Sequence, residues 1–173
     1  CAPDPTTYQD ALGILQRYEC RIPKAVQATL ERGVRGELAE TPKPGDKVFA
    51  KTENRVIATA RQSLQAAARF FETHGERAAI LGDSVTGEAR EVAKVYAALA
   101  REVKAHGEPF KPPVALISGG ETTVTVKGNG RGGRNCEFLL ALANDLQGVD
   151  GIHALACDTD GIDGTEDNAG AVL

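Results

Sequence analysis

Residues 128–135, GNGRGGRN, place Arg131 and Arg134 on a run containing four glycines, just ahead of an apolar helical pattern. Guanidinium groups make paired hydrogen bonds to carboxylate or phosphate. Glycines let the backbone approach such a ligand, and a helix N-terminus favours negative charge. The three features serve one chemistry, so the loop is read as anion-binding. Gly128, Gly130 and Gly133 also spell G-x-G-x-x-G, the dinucleotide fingerprint, and a flexible hairpin-like loop is a third possibility. Two features disfavour the fingerprint: the preceding strand is expected to pair antiparallel, and a dinucleotide turn does not call for two arginines.

Two further segments carry polar chemistry. SGGETT (118–123) combines a hydroxyl, a pliant Gly119–Gly120 pair and an acid at the end of an apolar strand. Its glycines can present N–H groups to a ligand or make a tight turn, and both alternatives stand. DTDGIDGTED (158–167) brings Asp158, Asp160 and Asp163 together with Glu166 and Asp167. An EF-hand is excluded, because Ile162 and Ala169 stand where that loop needs ligands. A Mg²⁺ site completed by phosphate needs only one or two carboxylates, and a solvated acidic turn is the alternative.

No G-x-S-x-G or G-x-x-x-x-G-K-[ST] occurs, and His74, His106 and His153 stand apart from one another. Cys136 lies near the expected helix N-terminus, which lowers a thiol pKa, although a small buried residue is its simpler role. The four cysteines form no CxxC pair and sit at no metal-ligand spacing, as expected of reduced thiols in a cytoplasmic protein.

These segments must be positioned by something, and the rhythm from residue 54 onward supplies it. Strands are expected at 55–60, 77–82, 114–120, 122–128 and 152–157, with helices at 61–75, within 83–107 and at 136–148. Alternating strand and helix predicts an α/β fold, a three-layer α/β/α sandwich around a mixed, mainly parallel sheet. The mixture follows from strands 114–120 and 122–128, which are too close in sequence for a crossover helix. Val92, Val95, Tyr96, Leu99 and Val103 are expected on the inner side of the long helix. Ligands of such sheets sit beyond the carboxyl ends of parallel strands, where Arg61, GDS (82–84), SGGETT and DTDGIDG would converge.

Residues 1–53 differ in texture. APDPTTY is a turn that can cap a helix beginning YQDALG, a second helix follows Pro23, and GELAETPKPGDK has neither period. They are expected to form a helical connecting segment and linker beside a missing N-terminal domain, with the α/β domain over 54–173. The expectation of a missing part comes from the absence of any methionine and the opening at Cys1. The composition, 42% hydrophobic and 25% charged over 173 residues, excludes disorder and collagen-like sequence. A net charge of −4 disfavours nucleic acid as a partner, and no apolar run approaches a membrane span.

LISGGETTVTVKGNGRGGRNCEFLLALA (116–143) with DTDGIDGTEDNAGA (158–171) resembles the MOFRL region of class II glycerate 2-kinases, a family older naming calls hydroxypyruvate reductase. PDPTTY (3–8), ETPKPGD (40–46) and ILGDSVTGEAREVA (80–93) are similar to its preceding segments in the same order, so the resemblance covers nearly the whole chain; residues 113–173 correspond to a truncated MOFRL section. It implies two α/β domains with a cleft between them, and phosphoryl transfer from ATP, with Mg²⁺, to the 2-hydroxyl of D-glycerate. It assigns Arg134 to the active site beside a lysine of the first domain, which is absent here. The expected set is then Arg134 as catalytic residue, with Ser118, Gly119, Gly120, Glu121, Thr122, Lys127, Gly130, Arg131 and Asn135 binding phosphate or substrate, and Asp158, Asp160 and Asp163 holding the metal. Cys136 replaces a usual Gln and Cys157 a usual small residue. The alternatives carried forward are an NAD(P)H-dependent hydroxypyruvate reductase and a non-catalytic anion- or nucleotide-binding module.

Overall fold

The computed structural model describes residues 2–173, which divide into two compact units, one ending at Arg55 and the other spanning Val56–Leu173. In the first, α1 (Tyr8–Arg17) begins on a capping box. Thr7 Oγ1 accepts from Asp10 N at 3.2 Å and the Asp10 carboxylate accepts from Thr7 N at 2.8 Å. Helix α2 (Lys24–Val34) follows Pro23, and a single 3₁₀ turn spans Lys47–Phe49. Gly33 of α2 is required by close approach, because a Cβ there would stand 2.2 Å from Tyr8 Cγ. The PDPTTY and ETPKPGD segments hold each other: Thr41 Oγ1 donates to Asp4 at 3.0 Å, and Asp4 N donates to Pro42 O at 2.9 Å.

The second unit opens with irregular chain rather than the strand expected at 55–60. Thr59 and Gln62 form a second capping box, so α3 (Ala60–Thr73) starts where the strand would have ended. Val56 and Ile57 are exposed, and no strand lies beside them to pair their backbone among the described residues. Local hydrogen bonding thus overrides β-branched composition.

Strand β1 (Arg77–Glu88), helix α4 (Ala89–His106) and strand β2 (Val114–Thr123) form a parallel β-α-β unit. Its register runs from Arg77 opposite Val114 to Glu88 opposite Thr123, with irregularities on either side of Gly82. β1 therefore runs through GDS, and β2 runs through SGGETT. The hairpin expected between 114–120 and 122–128 does not form. Gly119 and Gly120 lie within one strand, which keeps its ladder with β1 to Thr123, and residues 124–133 are irregular.

Helix α4 ends on Gly107 at φ 69°. Ala89, Ala93 and Ala97 are completely buried along it, whereas Val95 is exposed. The inner face therefore carries a stripe of alanines together with buried Val103 and partly buried Val92, Tyr96 and Leu99, and of the expected inner residues Val95 alone faces outward. Small side chains let α5 (Arg134–Leu146) approach closely, and its Leu139, Leu142 and Leu146 complete the core with Ala93 and Ala97. Tyr96 and Phe138 meet edge-to-face at 5.5 Å between ring centroids.

The antiparallel pairing lies elsewhere, between β3 (Leu155–Cys157) and β4 (Gly170–Val172), whose intervening loop carries the acidic run. The architecture is α/β, with a two-stranded parallel sheet and a separate two-stranded antiparallel one. No helix among the described residues is long and apolar enough to cross a membrane.

Candidate functional site

Three chain segments converge on the first residue of α5. Glu121 comes from the outgoing end of β2, Arg134 opens α5, and Asp158 directly follows β3. Arg134 Nη1 pairs with the Glu121 carboxylate and Nη2 with Asp158 Oδ1. The second Asp158 oxygen accepts from Asn135 Nδ2 at 2.9 Å.

A cation in the first turn opposes the positive end of the helix dipole, so Arg134 needs carboxylates around it. Asp163 supplies another at the helix start. It is completely buried; its Oδ1 accepts from Asn135 N at 2.9 Å and from Asn135 Nδ2 at 3.1 Å, and its Oδ2 from Cys136 N at 2.9 Å. Burial alone would raise its pKa, but the hydrogen bonds from Asn135 and Cys136 outweigh it and hold the carboxyl below its ordinary value. One consequence corrects the expectation for Cys136. Its thiol is pushed up, first by its hydrogen bond to Asp163, then by burial and the carboxylate charge.

Close packing of two glycine-bearing loops makes this cap possible. A Cβ on Gly133 would stand 2.3 Å from Asp163, and one on Gly164, at φ 69°, would stand 2.6 Å from Gly132 O. Glycine is demanded here by interlocked backbones, whatever anion the loop meets.

The remaining members of the expected set distribute as follows. Arg131 is exposed and forms a two-pronged pair with Glu166 at 2.8 and 2.9 Å. Lys127 and Gly130 lie exposed in the irregular 124–133 stretch. That stretch is tied to the end of β1 by Glu88, whose carboxylate accepts from Thr125 N at 3.0 Å and Thr125 Oγ1 at 2.9 Å and is held below its ordinary pKa by those bonds. Ser118, Gly119, Gly120 and Thr122 lie within β2 beside β1, so they form no separate turn.

The geometry gives the metal expectation no support. Asp158 and Asp163 each give both oxygens to protein donors, and Asp160 Oδ1 accepts from Ile162 N at 3.0 Å within its own turn. No group of three or more His, Cys, Asp or Glu residues that could hold a metal exists among the described residues. Carboxylate oxygens that already accept protein donors are poorly placed for a resident metal ion, and no chemical step is assigned to one.

Sequence reasoning missed the helix-capping role of Asp163 and the clamps made by Glu88 and Glu166. Each joins residues distant in the chain, and the only available signal was the surplus of acids near two arginines.

The chain resembles proteins of known name. Residues 114–173 match the MOFRL family. The chain is 45% identical over 172 residues to an Agrobacterium vitis protein named "Putative hydroxypyruvate reductase", covering 98% of this chain and 37% of that one. It is 38% identical over 173 residues to the glycerate 2-kinase of Pyrococcus horikoshii, covering 98% of this chain and 38% of the relative. The crystal structure of a glycerate kinase from Thermotoga maritima superposes with a TM-score of 0.75 at 37% identity, over 99% of this chain and 39% of that one. The chain thus spans about two fifths of the length of the curated relatives it matches. Residues 114–173 thus match the MOFRL family, and the chain as a whole is similar to proteins named glycerate 2-kinase.

Proposed function

We propose that this chain is the arginine-bearing part of a kinase that transfers a phosphoryl group from a nucleotide to the 2-hydroxyl of D-glycerate, giving 2-phosphoglycerate. The observation that carries this is Arg134, held at the start of α5 among Glu121, Asp158 and Asn135 in a chain 37–38% identical to two named glycerate 2-kinases. Phosphoryl transfer asks the protein mainly for positioning and for cations against charge spreading over the transferring group. Arg134 is the fixed cation, and Arg131 and Lys127 are exposed cations on the loop leading to it. The donor is proposed to be ATP, with any Mg²⁺ carried on its phosphates rather than by Asp158, Asp160 and Asp163.

The remainder of the site, including a lysine, is assigned to another domain of the same polypeptide, in a cytoplasmic enzyme acting on small molecules. Residues 1–53 are proposed to be the connecting segment and 54–173 the α/β domain, with the rest of the polypeptide completing a three-layer sandwich around β1 and β2. The compactness of the unit ending at Arg55 and of the unit Val56–Leu173 supports that division. The reductase alternative finds no support in the loop: a dinucleotide turn joins strand directly to helix, whereas irregular residues 124–133 separate β2 from α5.

The test is turnover of D-glycerate with ATP by the full-length polypeptide that carries this chain. Arg134→Ala should lower kcat by about 10²–10³-fold, the usual size of a lost transition-state charge contact. Unaltered turnover removes Arg134 from the chemistry, and oxidation of NADH by hydroxypyruvate would replace the kinase with the reductase.

A further inference from the structure

Two carboxylates share the Arg134 guanidinium, and they are held very differently. Asp158 is 13% exposed at its side chain. Its backbone N–H donates to Ala169 O at 2.7 Å, one carboxylate oxygen takes Arg134 Nη2, and the other takes Asn135 Nδ2. Glu121 is 69% exposed, and its carboxylate has no hydrogen-bond partner other than Arg134 Nη1 among the described residues.

One guanidinium with two carboxylates carries a net charge of −1. An incoming phosphate or carboxylate therefore cannot simply add to the group; one acid has to leave. Releasing Asp158 would break its bond to Asn135 and leave a largely buried carboxylate short of donors, which is costly. Releasing Glu121 returns an exposed carboxylate to water at little cost. The strand fixes the Glu121 backbone opposite Thr86, but only the Arg134 contact restrains its side chain.

We infer that Glu121 is an exchangeable internal anion, occupying the Nη1 side of Arg134 until the carboxylate or phosphate of a substrate displaces it, while Asp158 is the permanent positioning residue on the Nη2 side. This deepens the proposed function and rests on Arg134 being an anion-binding group. Glu121 then keeps Arg134 paired in the free protein and sets how strongly an anion must bind to enter. Asp158 presents the guanidinium edge that the anion meets.

The two acids, on one arginine, should therefore respond with opposite signs. The probe is inorganic phosphate, its affinity measured calorimetrically on the full-length polypeptide. Glu121→Gln should tighten phosphate binding about two- to fivefold, the size of an exposed ion pair. Asp158→Asn should weaken it about tenfold or more, because Arg134 and Asn135 meet separate carboxylate oxygens and the amide turns one of those acceptors into a donor. In an Arg134→Ala background the Glu121→Gln gain should vanish.

Unchanged or weaker binding in Glu121→Gln overturns the inference. So does an equal gain in Asp158→Asn, or a Glu121→Gln gain that survives loss of Arg134. Should Asp158→Asn fail to fold by its thermal midpoint, the sign of Glu121→Gln and its dependence on Arg134 decide alone. Absence of D-glycerate phosphorylation with the phosphate responses intact would sink the kinase reading and leave the exchange standing. Turnover with the wrong phosphate signs would do the reverse.

Discussion

Helices α1 and α3 begin in one way and α5 in another. Thr7 with Asp10, and Thr59 with Gln62, close capping boxes within three residues of each helix start. The cap of α5 is Asp163, 28 residues beyond the Asn135 N–H that it accepts. A local cap starts a helix and does little else. The distant cap also pulls the loop after β3 against the glycines before α5, which brings Asp158 to Arg134. The difference teaches that the same hydrogen-bonding need is met locally where a helix is only structural, and across the fold where the helix start carries the candidate site.

The largest effect should come from breaking the distant cap. Asp163→Asn keeps the shape but replaces one acceptor oxygen with a donor facing backbone N–H groups. It should cost about 3 kcal/mol in chemical denaturation, as hydrogen bonds to a buried charge are lost. The same carboxyl predicts the acid response. Its folded pKa lies below the ordinary 3.8, so its contribution is complete above that value and lost as pH falls through the lower folded one. Asp163→Asn should flatten that part of the stability profile, and an unchanged acid limb would show that Asp163 is not the group responsible.

Gly133→Ala comes next. Its methyl group would collide with Asp163, so the loops must separate, at about 1–3 kcal/mol and with loss of anion binding at Arg134. A stable variant with normal phosphate affinity would mean that the interlock does not position the site.

Thr59→Ala removes only a local cap and should cost about 1 kcal/mol, leaving phosphate affinity unchanged. If it disturbs Arg134 as strongly as the Asp163 variant does, the contrast between local and distant caps fails. Smallest of all, Arg131→Ala breaks an exposed pair with Glu166 and should change stability by less than about 1 kcal/mol.

Much of the site's composition was legible before the fold. Arg134, Asn135, Glu121 and Asp158 all belong to segments that read as chemistry from residue type alone. Their grouping by role was not legible: Asp163 and Asp158 read as metal ligands because acids clustered in sequence look like acids clustered in space. Their donors, Arg134 and the first N–H groups of α5, lie more than twenty residues away, and no local pattern announces them. The strand read at 122–128 failed for a related reason. Alternating Thr and Val suit a strand, but pairing partners decide whether one forms, and β2 already spends its ladder on β1 through Thr123.

By itself, the sequence determined the local events: the capped turn before α1, the apolar repeat of α5, the β-α-β order of β1, α4 and β2, and the two glycine-rich loops. Each depends on neighbours within a few residues, where chain geometry leaves little choice. Only the tertiary structure decided which acid meets which cation. That choice depends on loops brought together across the fold, where burial makes an unpaired charge costly and glycines allow backbones to touch.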